Sequence, residues 1–408
     1  MALSTSATAA SAKQMYGTDF TDPVIDMYYK CWFDRGIKER NTENHHTILM
    51  DAAEKHEEAD VFMILLMAKR SMKKAEFHDY VNYSTPALDD NDGNMTALHS
   101  AVLNREIGTV FKEREATPAI VQMLLENGAN VECESSVLHE PFSFTWERVR
   151  PIHLAAKHCS LKTVELLIQH GADVCSTSEF GGTPLHFAAP QGNKHVAQCL
   201  LEHGANVHAV ASSFLLESPN DLDHACHDLA PIHVALRHGS LHFARLLLNY
   251  GADIHSNPRG LTRLGLAVRS GSAEMVQMLI DNGADINEEC LEGMSPAYLA
   301  TTDSIRAGRI LPFLHSLGAN INAPNRAKQN FTPLHHAVHD IYVSTYIDHD
   351  LELVKTLLSL GADINARDTY GRTPLICAAA SECGHKIMKD IFCDLLRTTD
   401  GSSSYCSW

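Results

Sequence analysis

The 408-residue chain has no apolar stretch long enough to cross a bilayer as a helix. Its longest run, Val61 to Ala68, is far short of the roughly 20 residues a span needs. It also lacks a basic excess: 33 Lys and Arg stand against 50 Asp and Glu, a net charge of −17. A protein that grips phosphate backbones needs a cationic footprint, so direct nucleic-acid binding is not expected. Met1 to Ala12 is small and polar, without the apolar segment of a secretory signal. The 11 cysteines form no CxxC pair and follow no disulfide spacing, which points to reduced thiols in a cytoplasmic or nuclear setting. No Walker A, dinucleotide-glycine, G-x-S-x-G, H-E-x-x-H or kinase signature is present, so no cofactor or catalytic residue is expected.

What the chain does have is an internal repeat. Thr183-Pro184-Leu185-His186 has counterparts beginning at Thr47, Thr96, Arg150, Ala230, Thr262, Ser295, Thr332 and Thr373. Each except the first and the last is followed by Gly-Ala, at Gly128, Gly171, Gly204, Gly251, Gly283, Gly318 and Gly361. Where nothing is inserted the period is about 33 residues. Within one period, Thr183 is a suitable N-cap and Pro184 a suitable first helical residue. Leu185, Ala188 and Ala189 give a short first helix, and Val196, Cys199 and Leu200 form the apolar stripe of a second. Gly204 ends that helix in the left-handed conformation. A unit of this size cannot bury its own apolar face, so the units must stack.

These motifs resemble the ankyrin repeat over residues 47–397. The resemblance implies an all-α solenoid of about nine stacked helix-turn-helix units with hairpin-like fingers, the first unit divergent, and a multi-repeat arrangement similar to fungal ankyrin proteins. Residues 1–46 are expected to be partly disordered with a segment that caps the array, and 398–408 to be a flexible tail. One histidine per unit, at His99, His153, His186, His233 and His335, is expected to serve structural hydrogen bonding. The family also contains substrates of an asparaginyl hydroxylase, whose preference for Leu followed by an acidic, an apolar and an Asn residue fits Asn287 and Asn365.

The intervals Gly128–Arg150 and Gly204–Ala230 are longer than Gly171–Thr183. These inserts carry Phe142, Phe144, Trp146, Arg148 and Phe214, aromatic and Arg side chains of the kind found at binding hot spots. They are read as a partner-facing patch; the alternative is that they fold back on the array's own flank. Lys157, Arg237 and Arg269 share one repeat position, and the resemblance puts that position near the concave side, a basic ladder for an acidic peptide. The segment Asp221 to Asp228 is rich in metal-ligating types, but no second ligand pair flanks it, and a metal is not expected. The expected function is a monomeric, non-enzymatic scaffold or adaptor that binds a partner protein through fingers and concave face, away from membranes. The alternative is a regulatory subunit or transcriptional co-regulator that reaches DNA only through a partner.

Overall fold

A computed structural model describes residues 47–55, 57–85, 93–103, 118–139, 144–158, 160–212, 228–258, 261–291, 293–340 and 347–380. The chain divides into two compact units, Met1–Ala209 and Val210–Trp408.

In the first unit the helices are α1 (Ile48–Glu54), α2 (Glu58–Ser71), α3 (Lys74–Val81), α4 (Ala97–Val102), α5 (Pro118–Glu126), α6 (Pro151–His158), α7 (Leu161–Gln169), α8 (Pro184–Ala188) and α9 (Lys194–Glu202). Strands β1 (Ser135–His139) and β2 (Phe144–Val149) lie between α5 and α6. The first helices of successive repeats stack in a row, α1 on α4, α4 on α6 and α6 on α8. The second helices form a parallel row, α2, α5, α7 and α9. The divergent first repeat is thus a true helix pair, capped by the Thr47 hydroxyl accepting from the Met50 N–H at 3.3 Å. The third helix, α3, follows it before the next repeat begins.

The second unit repeats the scheme with α10 (Pro231–His238), α11 (Leu241–Asn249), α12 (Arg263–Ser270), α13 (Ala273–Asp281), α14 (Pro296–Ala300), α15 (Ser304–Ser316), α16 (Pro333–Asp340), α17 (Ile347–Ser359) and α18 (Pro374–Ala380). Here α10, α12, α14, α16 and α18 make the row of first helices.

The core is what the apolar spacing requires. Leu185, Ala188 and Ala189 of the first helix and Val196 and Leu200 of the second are fully covered. Small residues on the first helices let neighbouring backbones approach, while Leu, Val and Met from the second helices fill the space between rows. Each second helix from α5 onward ends at a glycine in the left-handed region; Gly204 (φ 91°) and Gly361 (φ 87°) are examples. A Cβ at either would meet nothing within 4 Å, so backbone strain, and not crowding, selects glycine there.

The connections between repeats are fingers. Short ones are closed by single bridges such as Leu291 to Met294 and Asn325 to Phe331, and the longer Gly204–Ala230 connection is bridged from Ala211 to Leu229. The insert before Arg150 differs: β1 and β2 pair antiparallel, with Val137 opposite Trp146 and His139 opposite Phe144, and a bulge between Ser135 and Val137. Ser136 also bridges back to Gly93 in the preceding finger.

Candidate functional site

Two sets of side chains hold the fingers to one another. The first is the histidine three residues after each N-cap. His99, His153, His186, His233 and His335 are 0–2% exposed. Each ring accepts at Nδ1 from the backbone N–H of the residue three positions earlier. The donors Arg150, Thr183 and Ala230 lie at 3.1, 3.2 and 2.9 Å. Thr96 and Thr332 donate at 3.4 and 3.3 Å. The opposite nitrogen reaches the next finger. Nε2 of His99, His153, His233 and His335 donates to the carbonyls of Val149, Ser176, Ser256 and Arg372 at 3.0–3.1 Å. One donor and one acceptor are all that a neutral imidazole has, and both are used. Burial pushes the pKa of His99 and His153 down to about 4, and that of His233 and His335 down as well. The structural role expected for these histidines is what the geometry shows.

The second set was not legible as a set. At the fourth residue after several of the closing glycines, and at Asn82 in the first repeat, a side chain spans to the next repeat. Asn287 donates from Nδ2 to the Gly318 carbonyl (3.3 Å) and accepts at Oδ1 from the Asn320 N–H (2.8 Å). Asn322 does the same with Gly361 (3.2 Å) and Asp363 (2.7 Å). Asn82 does so with Gly128 (2.9 Å) and Asn130 (2.6 Å). The Asn side chain carries a donor and an acceptor in the spacing of a peptide group, so it stands in for a missing strand partner. Glu132 supplies the acceptor half alone, to the Asp173 N–H at 2.8 Å. Of the two residues matched to the hydroxylase preference, Asn287 therefore has both ends of its amide engaged. Asn365 occupies the same position in the last described repeat, where its backbone N–H bonds to Asp363 at 2.8 Å.

Of the residues expected to face a partner, Phe144 and Trp146 lie on β2. Phe142 and Phe214 lie outside the described residues, as do Asp221 to His227. Arg148 is exposed and holds φ at +54°, but its Nε donates to Glu134 at 3.2 Å. The half-buried Arg150 bonds the same carboxylate at 3.2 Å and also pairs with Glu132. The Arg148 hydrogen bond, more than the burial that opposes it, holds the Glu134 carboxyl below its usual range. Arg148 thus pins the hairpin's base to itself. Lys157, Arg237 and Arg269 are each less than a tenth exposed. Most of each side chain is covered where a solvent-facing row was expected.

Among the described residues no group of three or more His, Cys, Asp or Glu is placed to hold a metal ion, and no helix is long and apolar enough to cross a membrane.

A row of two-helix units, held finger to finger by buried imidazoles and asparagine amides, is the architecture of a stacked repeat protein. Family profiles described as "Ankyrin repeats (3 copies)" match residues 110–211 and 209–290, and "Ankyrin repeats (many copies)" matches 343–392, together more than half the chain. The chain belongs to the ankyrin-repeat family. No curated protein matches it. Among solved structures it is similar to the human ASB11 ankyrin repeat domain, at 24% identity and a TM-score of 0.45. That match covers 60% of this chain and 97% of the other.

Proposed function

We propose that this protein is a scaffold or adaptor that binds a partner protein through its fingers. Ankyrin repeats are generally protein-binding, non-enzymatic modules. The observation that supports the finer reading is the hairpin Ser135–Val149. It is the one regular pair of strands among the described residues, and it is held at its base by Glu132, Glu134, Arg148 and Arg150. A base fixed in this way orients the aromatic strand β2 at little entropic cost on binding. A reduced compartment such as cytoplasm or nucleus belongs to the same proposal and rests on cysteines that follow no disulfide spacing.

The test is Phe144→Ala combined with Trp146→Ala, with affinity purification of the full chain from its native cells. Loss of a co-purifying protein at unchanged melting temperature is the expected result. A large drop in melting temperature would mean that the two rings pack on the array itself.

A further inference from the structure

The protein is acidic overall, yet two neighbouring fingertips of the second unit are not. Residues 320–332 and 361–373 carry Arg326, Lys328, Arg367 and Arg372 against two carboxylates, Asp363 and Asp368. Both carboxylates already serve the backbone. Asp363 accepts from the Asn365 N–H, while Asp368, with a fully covered side chain, accepts from the N–H groups of Tyr370 and Arg372 and from Arg372 Nε at 2.7–2.8 Å. Arg326, Lys328 and Arg367 are exposed, and none is in an ion pair with a described residue.

The two tips are joined. Thr369 N–H donates to the Gln329 carbonyl and Arg372 Nη2 to Gln329 Oε1, both at 2.9 Å. The Arg372 guanidinium lies 5.0 Å from the Tyr370 ring and 5.8 Å from that of Phe331. Tyr370 itself is 69% exposed, the most open large apolar side chain among the described residues. Gln329 and Asn330 hold consecutive positive φ angles of 57° and 55°, a conformation that non-glycine residues keep only where the surroundings impose it. The result is an exposed Tyr–Arg stack on one fingertip, joined through Gln329 to a second fingertip that carries two further exposed cations.

We propose that this two-finger patch, Arg326, Lys328, Arg367, Tyr370 and Arg372, docks a short acidic segment of a partner protein, with an apolar residue of that segment seated on Tyr370. Cations and an exposed Tyr–Arg stack supply charge complementarity and a rigid anchor. The patch is short: the preceding finger presents the exposed Glu289, so a long polyanion would run onto like charge. A short acidic peptide fits and a nucleic acid does not. This inference names the kind of partner within the scaffold reading and rests on it.

The experiment is fluorescence anisotropy on the full chain at low ionic strength. The probe is a fluorescein-labelled peptide of alternating glutamate and glycine around one leucine. Saturable binding that weakens with salt is expected, reduced about tenfold or more in Arg326→Glu/Lys328→Glu and about threefold in Tyr370→Ala. A milder pair, Arg326→Gln/Lys328→Gln, guards against misfolding of the charge reversal and should show an intermediate loss. Equal binding of a glutamine-for-glutamate peptide, or wild-type binding by both double variants, overturns the proposal. Tighter binding of a single-stranded oligonucleotide of equal charge, lost in the same variants, overturns it in favour of a nucleic-acid site. If the peptide fails while Phe144- and Trp146-dependent capture of a partner stands, the patch alone is wrong; if both fail, the scaffold reading falls too.

Discussion

Residues 96–183 and residues 262–300 solve one problem in two ways. In the first stretch, His99 and His153 bridge an N-cap N–H to a carbonyl of the next finger through an imidazole. In the second, the same positions hold Gly265 and Tyr298. The Thr262 N–H, which a histidine would engage, donates straight to the Cys290 carbonyl of the next finger at 2.9 Å. The approach depends on the missing side chain, because a Cβ on Gly265 would lie 2.6 Å from Leu261 Cδ1 and 3.0 Å from Cys290 Cβ. Tyr298 fills its position with a ring that is fully buried and packs 4.9 Å from the His336 ring. One stretch is held by a titratable group, the other by packing and a direct backbone bond, so the two should differ in what breaks them.

The largest effect is expected from Tyr298→Ala, a large-to-small change at a fully buried site, costing about 3–5 kcal/mol in chemical denaturation of the second unit. A cost under about 1 kcal/mol would mean that packing does not hold this stretch. Next comes pH. A lowered histidine pKa gives stability that is complete above the unfolded value of ~6.5 and is lost as pH falls toward the folded value of about 4. Between pH ~7.5 and ~5.5, His99 and His153 together should cost roughly 2–3 kcal/mol. Hydrogen exchange, corrected for intrinsic rates, should show α4 and α6 opening more readily while α12 and α14 change little. Equal opening of both stretches would erase the distinction. Gly265→Ala should cost roughly 1–2 kcal/mol by pushing the Cys290 finger away, whereas Gly308→Ala, where nothing lies within 4 Å, should not destabilise. The smallest effect belongs to Arg148→Ala, which removes an exposed ion pair and should change the melting free energy by less than about 0.5 kcal/mol. Anything larger would mean that this pair contributes more than an exposed ion pair should, with Arg150 unable to hold the base alone.

Much of this fold was legible because its signals are local. An N-cap threonine, a first-turn proline and a closing glycine act within a few residues, and Leu200 or Val196 needs only helical periodicity to be placed in the core. The asparagine clamps were not legible as such. Asn287 reads as one polar loop residue until Gly318 and Asn320 are brought beside it, a pairing set by how repeats stack. The covering of Lys157, Arg237 and Arg269 was hidden for the same reason, since exposure belongs to the neighbours and not to the residue. The fingertip patch is not legible in the sequence because no insert marks it. Arg326, Lys328, Arg367 and Arg372 sit in fingers of ordinary length, and only the bonds to Gln329 put them side by side. Sequence did find Arg148, but its role changed once Glu134 was seen opposite it across the bulged hairpin.

The most direct test of a finger-borne scaffold is hydroxyl-radical footprinting of the full chain purified with its partner from native cells, compared with the chain alone. The account predicts protection at side chains of the hairpin Ser135–Val149 and at Tyr370, with the outer second helices α7, α9 and α13 unchanged. Protection confined to those second helices, with both finger regions equally reactive in the two samples, would contradict it.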